Sequence, residues 1–212
     1  MNGILSRSEL RAAARESLFG NWGKSIAVFL IYVAITISLG FIPFFGQLVL
    51  ILITGVFTLG MALYFIRLAR GEDPSVSSLF EGFERFVKVF LLTLLMGIFT
   101  LLWSLLFIIP GIIAGYRYSQ AYYILIDNPD ISALEAIRRS KEMMAGHKWR
   151  YFVLQLSFIG WYLLCMLTLG IGALWLAPYM AATNAHFYEN LRHCNGSFGI
   201  APPPDSLGIY PS

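Results

Sequence analysis

Long apolar stretches with at most one charged residue each constrain this chain more than any other feature of its sequence. A helix needs about 20 apolar residues to cross the hydrocarbon core of a membrane. On that criterion we predict six membrane-spanning helices, over 26–42, 47–68, 89–109, 112–126, 151–169 and 172–189. Only 13% of the 212 residues are charged and the mean hydropathy is +0.69, so the chain lacks the polar surface of a soluble domain of this size.

Proline and glycine mark short turns that would join these helices in pairs, because both residues end helices. The turns fall around Pro43, Pro110-Gly111 and Gly170. The predicted fold class is therefore all-α, a polytopic membrane bundle of six transmembrane helices in three hairpins, forming one domain over 1–194. Residues 195–212 are rich in proline and glycine and predict a flexible cytoplasmic tail.

Charged residues are distributed unevenly along the chain. The three predicted hairpin turns carry none. Fourteen of the fifteen Lys and Arg residues, and all twelve Asp and Glu residues, lie in the four other non-spanning segments or at their edges. Because Lys and Arg are retained on the cytoplasmic side, we expect a multi-pass protein of the cell membrane with its N- and C-termini in the cytoplasm.

Three amphipathic helices are predicted in the cytoplasmic segments, over 7–20, 78–88 and 132–145. Each follows a capping-box pattern, in which a serine precedes a glutamate by three residues: Ser6 and Glu9, Ser78 and Glu81, Ser132 and Glu135. Opposite charges at i, i+4 spacing add support: Glu81 with Arg85, Glu84 with Lys88, Glu135 with Arg139. These patterns indicate either a threefold internal repeat or the shared need of three hairpins for capped, basic connectors.

Basic and aromatic residues near the ends of these helices are predicted to contact lipid headgroups. They are Trp22, Lys24, Arg85, Lys88, Arg138, Arg139, Lys148, Trp149 and Arg150. The expected partner is anionic lipid of the inner leaflet. A membrane-protein partner or a second copy of the chain stays open, and we expect no nucleic-acid partner.

Three stretches resemble the signature of a bacterial integral membrane family catalogued as domain of unknown function nine-seven-five. They are Asp127-Asn128-Pro129-Asp130, Ser132-Ala133-Leu134-Glu135-Ala136-Ile137-Arg138-Arg139-Ser140, and Gly146-His147-Lys148-Trp149-Arg150. The likeness extends over about 6–192. The chain is also similar to the membrane domain of some glycerophosphodiester phosphodiesterases, whose catalytic barrel has no counterpart in this sequence. The resemblance implies a six-helix cell-membrane protein and assigns no catalytic residue.

Arg117 is predicted to lie within the membrane, about 10 Å along the fourth span from Pro110. A charge at such a depth commonly marks a functional site. The candidate intramembrane polar site comprises Arg117, Gln120, Tyr116, Tyr118, Asn184 and His186. One interpretation is contact with an anion or a phospholipid headgroup. In the other, Arg117 extends to the headgroups or ties its helix to neighbouring carbonyl groups.

Catalytic motifs are lacking in the sequence, which contains no P-loop, G-x-S-x-G, H-E-x-x-H or Cys-x-x-Cys. No carboxylate is predicted inside a span. We therefore expect that the protein is not an enzyme and needs no cofactor and no metal. Two functions are open: handling or transport of a small anionic amphiphile or lipid through the helix bundle, with Arg117 reading its charge, or a non-catalytic scaffold or regulatory role through the basic amphipathic helices and a partner.

Overall fold

The computed structural model describes residues 5–42, 45–106, 108–168 and 170–194. Helices account for nearly all of them and none of these residues forms a strand, which confirms the all-α class. The α-helices are α1 (Arg7–Leu18), α2 (Trp22–Gly40), α3 (Phe45–Ala69), α4 (Phe86–Leu106), α5 (Ile108–Tyr118), α6 (Ala121–Asp127), α7 (Ala133–Met143), α8 (Lys148–Leu156), α9 (Ile159–Leu167) and α10 (Ala173–Cys194). A 3-10 helix, Val76–Arg85, precedes α4. The predicted tail at 195–212 and the predicted turn at Pro43 lie outside the described residues.

Four helical stretches within the described ranges are long and apolar enough to cross a membrane: Trp22–Gly40, Val49–Ala69, Val76–Leu105 and Lys148–Leu167. They correspond to the predicted spans 26–42, 47–68, 89–109 and 151–169. The chain therefore has the helices of a membrane protein. The predicted spans 112–126 and 172–189 do not meet the same criterion, since the first is interrupted between α5 and α6 and the second belongs to the more polar α10.

Two interruptions bend the apolar helices, at Ser119–Gln120 and at Ser157–Phe158. In each, a serine hydroxyl donates to a carbonyl three residues earlier: Ser119 Oγ to Tyr116 O (2.9 Å) and Ser157 Oγ to Leu154 O (2.6 Å). Such side-chain bonds compete with the regular helical pattern. The local sequence thus explains why each predicted span is two shorter helices.

Polar contacts join helix ends that are distant in sequence. Lys24 Nζ lies 2.5 Å from Asp73 Oδ1, Lys88 Nζ donates to Pro129 O (2.7 Å), and Arg150 donates to Asn190 Oδ1 (2.6 Å). The starts of α2, α4 and α8 therefore lie at the same level as the ends of α3, α6 and α10.

The amphipathic helices α1 and α7 pack against protein. Leu10, Ala14 and Leu18 of α1 are fully buried, where α1 contacts α10 and α3. Ala136 and Ile137 of α7 are buried where it contacts α4 and α6. Because both apolar faces are covered by other helices, they are not free to insert into lipid, as an interfacial helix would be.

The predicted amphipathic helix 78–88 differs most from expectation, because Val76–Arg85 is a 3-10 helix that continues into α4. It lies directly on α3: a Cβ added at Gly60 would overlap the Leu79 carbonyl, and one at Gly82 would overlap the Val56 carbonyl. Two glycines therefore allow this close backbone approach.

The three capping boxes have different outcomes. The reciprocal box of Ser6 and Glu9 is confirmed. Ser132 Oγ accepts from the Glu135 amide (3.2 Å), but the Glu135 carboxylate binds arginines of α7 instead of closing the box. The box at Ser78 is wrong, because Ser78 lies inside the 3-10 helix, fully buried, and accepts a hydrogen bond from Arg67 (3.0 Å).

Only one of the three predicted i, i+4 ion pairs forms. Glu135 and Arg139 lie 2.8 Å apart, as predicted. Glu81 pairs in bidentate fashion with Arg67 (2.5 and 2.8 Å) and not with Arg85, because α3 presents a guanidinium to it. Lys88 uses its ammonium group on the carbonyl of Pro129 and not on Glu84.

Candidate functional site

A groove of about 490 Å³ lies between α1, the start of α2, α9, the start of α10 and the turn that joins α9 to α10. Its two ionised side chains are arginines from α1, and the rest of its lining is largely aromatic and aliphatic. The lining residues are Arg11, Arg15, Trp22, Trp161, Leu164, Cys165, Thr168, Gly172, Trp175, Leu176 and Tyr179. We refer to this feature as the amphipathic groove.

The two arginines are placed by the helical repeat of α1. They are four residues apart and share one face, which adjoins the buried stripe that begins at Leu10. Neither Arg11 nor Arg15 has an ion pair within the described part of the chain, and Arg11 Nε is buried without an acceptor there. Glu9, the nearest preceding carboxylate, accepts from the Ser6 amide at 2.6 Å. Two guanidinium groups are therefore available to an anion.

Three tryptophans contribute to the apolar part of the groove lining. Trp22, Trp161 and Trp175 line it, and they are three of the five tryptophans in the chain. Trp161 and Trp175 are about half exposed on the outside of the bundle. Tryptophan prefers the boundary between headgroups and hydrocarbon, and guanidinium groups bind carboxylate and phosphate with paired hydrogen bonds. The groove thus combines two guanidinium groups with a largely apolar lining.

A buried ionic cluster joins the ends of α3, α6 and α10, and we call it the ionic cluster. Arg70 donates from Nε to Glu189 Oε1 (2.8 Å) and from NH2 to Asp127 Oδ1 (2.7 Å). Arg192 lies 3.4 Å from Asp127 and 3.7 Å from Glu189, and the Tyr188 hydroxyl donates to Asp127 (2.8 Å). Burial acts to lower the pKa of Arg70, and the carboxylates of Glu189 and Asp127 outweigh it and raise the pKa.

The ionic cluster contains a buried carboxylate at the end of a predicted span. Glu189, the last residue of the predicted sixth span, has no exposed surface. Two arginines and two carboxylates balance in charge, as a buried set must. The cluster therefore connects three helix ends through buried ion pairs.

Arg117 lies near the end of α5, close to α7 and α8. It lies one residue before the end of α5, and its carbonyl accepts from Ser140 Oγ of the amphipathic helix α7 (2.8 Å). It is close enough to Lys148 for the two positive charges to interact. Arg117 thus lies beside the charged helices, and its Nε is buried without an acceptor among the described residues.

The other members of the predicted polar site do not gather around Arg117. Asn184 accepts from Gln155 Nε2 (3.0 Å), and His186 lies 3.1 Å from Ser17 Oγ, so each joins α10 to another helix. Gln120 is buried and donates to Ser119 Oγ (2.8 Å). The tyrosines pack against aromatic rings: Tyr116 on Tyr151 (5.5 Å between centroids) and Tyr118 on Phe99 (6.3 Å).

Most of the predicted headgroup anchors have partners within the protein. Arg138 pairs with Glu135 and Glu142, and Arg139 with Glu135. Lys24, Lys88 and Arg150 make the contacts between helix ends described above, and Arg150 also lies over the Phe187 ring (5.1 Å). Trp22 lines the amphipathic groove, Arg85 lines a cavity beside α3, Lys148 begins α8 and Trp149 is largely exposed. Their role as lipid anchors stays a prediction.

Sequence reasoning missed the two features that the structure emphasises. Arg11 and Arg15 stand at i, i+4 beside an apolar stripe, a pattern that places two like charges on one face. Glu189 and Arg192 form an i, i+3 pair in the last helix. Both signals were present, but neither identifies the residues that complete the groove or the cluster.

Comparison with known proteins gives a family and nothing more specific. A family model described as "Protein of unknown function (DUF975)" matches residues 1–114 and 105–195. No curated protein and no solved structure matches the chain. The likeness to the phosphodiesterase membrane domain therefore stays a prediction.

Proposed function

Since the chain belongs to the DUF975 family of proteins of unknown function, we propose from its geometry that it binds an anionic amphiphile or lipid in the amphipathic groove. The protein handles or transports this molecule and does not catalyse its conversion. The observation that carries the proposal is that Arg11 and Arg15, which have no ion pair among the described residues, lie at one side of a groove lined by three tryptophans. Free phosphate and a lipid headgroup share the charge that these arginines would bind, and the apolar wall favours the lipid.

The proposed topology has six spans in three hairpins, with both termini in the cytoplasm of a bacterial cell. Contacts between helix ends support it, because the starts of α2, α4 and α8 adjoin the ends of α3, α6 and α10. The ionic cluster supports it too, since it brings together the ends of α3, α6 and α10, one from each proposed hairpin. Two membrane crossings in each hairpin would bring its first and last residues to the same side, which accounts for the contacts between helix ends and for the ionic cluster. Cysteine labelling from either side of the membrane tests the topology.

The scaffold function receives less support from the packing. It requires amphipathic helices that bind the membrane surface with their apolar faces. The apolar faces of α1 and α7 are covered by α10, α3, α4 and α6, so only their charged faces remain for a partner. Charge reversal of Arg85, Lys88, Arg138 and Arg139 should disrupt function if the scaffold interpretation holds, and should leave ligand binding in the groove intact if ours holds.

Ligand binding can be followed by intrinsic tryptophan fluorescence, because most of the tryptophans line the groove. Three probes separate charge from hydrocarbon: dioctanoyl phosphatidic acid, dioctanoylglycerol and inorganic phosphate. We expect the purified protein to bind phosphatidic acid more tightly than either of the others. A charge-assisted hydrogen bond contributes about 1.5–3 kcal/mol, so Arg11→Gln and Arg15→Gln should each weaken binding of phosphatidic acid about tenfold or more.

Arg117→Gln is the matched control, because it removes an arginine that does not line the groove. It should leave the affinity for phosphatidic acid unchanged. Loss of binding in Arg117→Gln but not in Arg11→Gln would show that the anion binds at Arg117 on α5 and not in the groove. Equal affinity for phosphatidic acid and dioctanoylglycerol would show that the arginines do not read charge and would end the proposal.

A further inference from the structure

Two cavities meet at Ser119 and Tyr151, and neither is lined by the arginines of the amphipathic groove. One, of about 500 Å³, runs along α4, α5 and α8, from Ser104 and Gly111 to Ser119; we call it the lateral cleft. The other, of about 240 Å³, lies among α2, α3, α6 and α10, and we call it the inner chamber. Ser119 and Tyr151 line both, so these two side chains separate the cleft from the chamber.

The lateral cleft opens where apolar side chains are exposed. Leu101, Leu105 and Ile112 on α4 and α5 are at least half exposed around it, as expected of a surface that faces lipid. A molecule that enters the cleft from this side therefore comes from the bilayer.

The lining of both cavities is mostly apolar and includes uncharged polar side chains. The polar lining residues include Thr100, Tyr116 and Gln155 in the cleft, and Thr58, Tyr122 and Asn184 in the chamber. Within the described residues, no Asp, Glu, Lys or Arg lines either cavity. Because a charge without a partner is costly to bury and a hydroxyl group can be matched by these side chains, the lining selects an uncharged, hydrogen-bonding group.

The backbone is interrupted at the point where the cavities meet. Ser119 and Gln120 separate α5 from α6, and Ser140 of α7 holds the interruption by accepting from the Gln120 amide (3.2 Å). Gln120 is buried and bonds to Ser119 Oγ, yet its Oε1 has no donor in the part of the chain that the structure describes. Many membrane transporters bind substrate beside a broken helix.

We propose that the lateral cleft and the inner chamber form one passage that admits the uncharged, hydroxyl-bearing headgroup of a lipid from the bilayer. Ser119 and Tyr151 form its constriction and hydrogen-bond the headgroup as it passes. This site is separate from the amphipathic groove. It binds an uncharged lipid headgroup, whereas the groove is proposed to bind an anionic one. The inference does not rest on the function proposed for the groove.

Cysteine protection tests the passage. In a chain carrying Cys165→Ser and Cys194→Ser, reporter cysteines are introduced singly: Ser119→Cys at the constriction, Thr100→Cys in the cleft and Thr58→Cys in the chamber. Each protein is reconstituted in phosphatidylcholine nanodiscs, and the rate of alkylation by N-ethylmaleimide is measured with dioctanoylglycerol or with dioctanoyl phosphatidic acid. We expect dioctanoylglycerol to slow alkylation of all three reporters about tenfold at ten times its dissociation constant, and phosphatidic acid to have no effect.

The native Cys165, in a chain carrying only Cys194→Ser, is the matched control because it lines the amphipathic groove. It should show the opposite selectivity if the groove binds anionic lipid. If the passage reporters fail to respond while Cys165 is protected by phosphatidic acid, the passage is refuted and the groove stands. Protection of Thr100→Cys without protection of Thr58→Cys also overturns the passage, because the lipid then stops in the cleft. Equal protection by both lipids removes the basis for an uncharged headgroup. The Thr58→Cys reporter decides the matter if Ser119→Cys does not fold.

Discussion

Replacing Arg70 by methionine tests whether the ionic cluster holds the helix ends together. Methionine keeps the length of the arginine stem but removes the guanidinium group. Arg70 is the centre of the cluster, with hydrogen bonds of 2.7 and 2.9 Å to Asp127 and of 2.8 Å to Glu189. The side chains of Arg70, Asp127 and Glu189 are 13%, 5% and 0% exposed, so water cannot replace the lost donors.

The magnitude follows from what remains after the substitution. Removing one partner of a buried ion pair costs about 3–5 kcal/mol, because the other charge stays buried without compensation. Arg192 remains 3.4 Å from Asp127 and 3.7 Å from Glu189, so part of the compensation survives. We therefore expect a loss near the lower end of that range, about 3 kcal/mol of the free energy of unfolding.

The free energy of unfolding can be measured by titration with dodecyl sulfate in mixed micelles, followed by tryptophan fluorescence. The matched control is Lys24→Met, which breaks an ion pair of similar length between side chains that are 45% and 71% exposed. An exposed pair contributes about 1 kcal/mol or less. In addition, Glu189→Gln introduced into Arg70→Met should recover part of the loss, because it removes one of the stranded carboxylates.

If Arg70→Met and Lys24→Met lose the same free energy of unfolding, the ionic cluster does not hold the helix ends together. The same conclusion follows if the losses in the free energy of unfolding caused by Glu189→Gln and Arg70→Met add fully, because the two side chains would then be energetically independent. In either case the polar groups of the cluster would contribute to stability separately and would not act as a coupled set.

Three further predictions concern packing, a helix interruption and pH. Gly60→Ala should lower the free energy of unfolding by about 1–3 kcal/mol, because the new methyl group would overlap the Leu79 carbonyl. Ser140→Ala should cost about 1–3 kcal/mol, because the Gln120 amide and a carbonyl of α5 lose their shared partner. Hydrogen bonds from arginines of α7 lower the pKa of Glu135 from 4.5 to about 2, so the stabilisation that Glu135 provides is complete above pH 4.5 and is lost as the pH falls toward 2.

Each of these predictions has its own check by thermal or dodecyl sulfate unfolding. Gly97→Ala is the control for Gly60→Ala, since an added Cβ at Gly97 meets nothing within 4 Å; equal effects of the two would contradict the packing argument. Ser140→Thr, which keeps a hydroxyl, should retain more stability than Ser140→Ala. The stability difference between the wild type and Glu135→Gln should shrink below pH 4.5, and a constant difference down to pH 2 would contradict the assignment.

The apolar segments were predictable because the length of a hydrophobic run is a local property. Four of the six predicted spans coincide with helices long and apolar enough to cross a membrane. The cap at Ser6 and the pair of Glu135 with Arg139 were also predictable, since both join residues within one turn of a helix.

Local patterns failed where a distant segment offered a better partner. Glu81 was expected to bind Arg85 but binds Arg67 from α3, and Ser78 was expected to cap a helix but is buried beneath that same arginine. Helix propensity likewise could not anticipate a 3-10 helix over Val76–Arg85, which packs closely against α3 at Gly60. Tertiary packing overrode the local preference in each case.

The sequence by itself determined that this chain makes apolar helices with most ionised groups near their ends or outside them, because the cost of burying a charge in hydrocarbon acts on each segment separately. The tertiary structure alone decided which groups meet. Arg70 reaches Asp127 and Glu189 across 57 and 119 positions of the chain, and Arg11 shares a groove with Tyr179. Periodicity tells which face of a helix is buried, whereas the partner on the other side depends on how all the helices pack together.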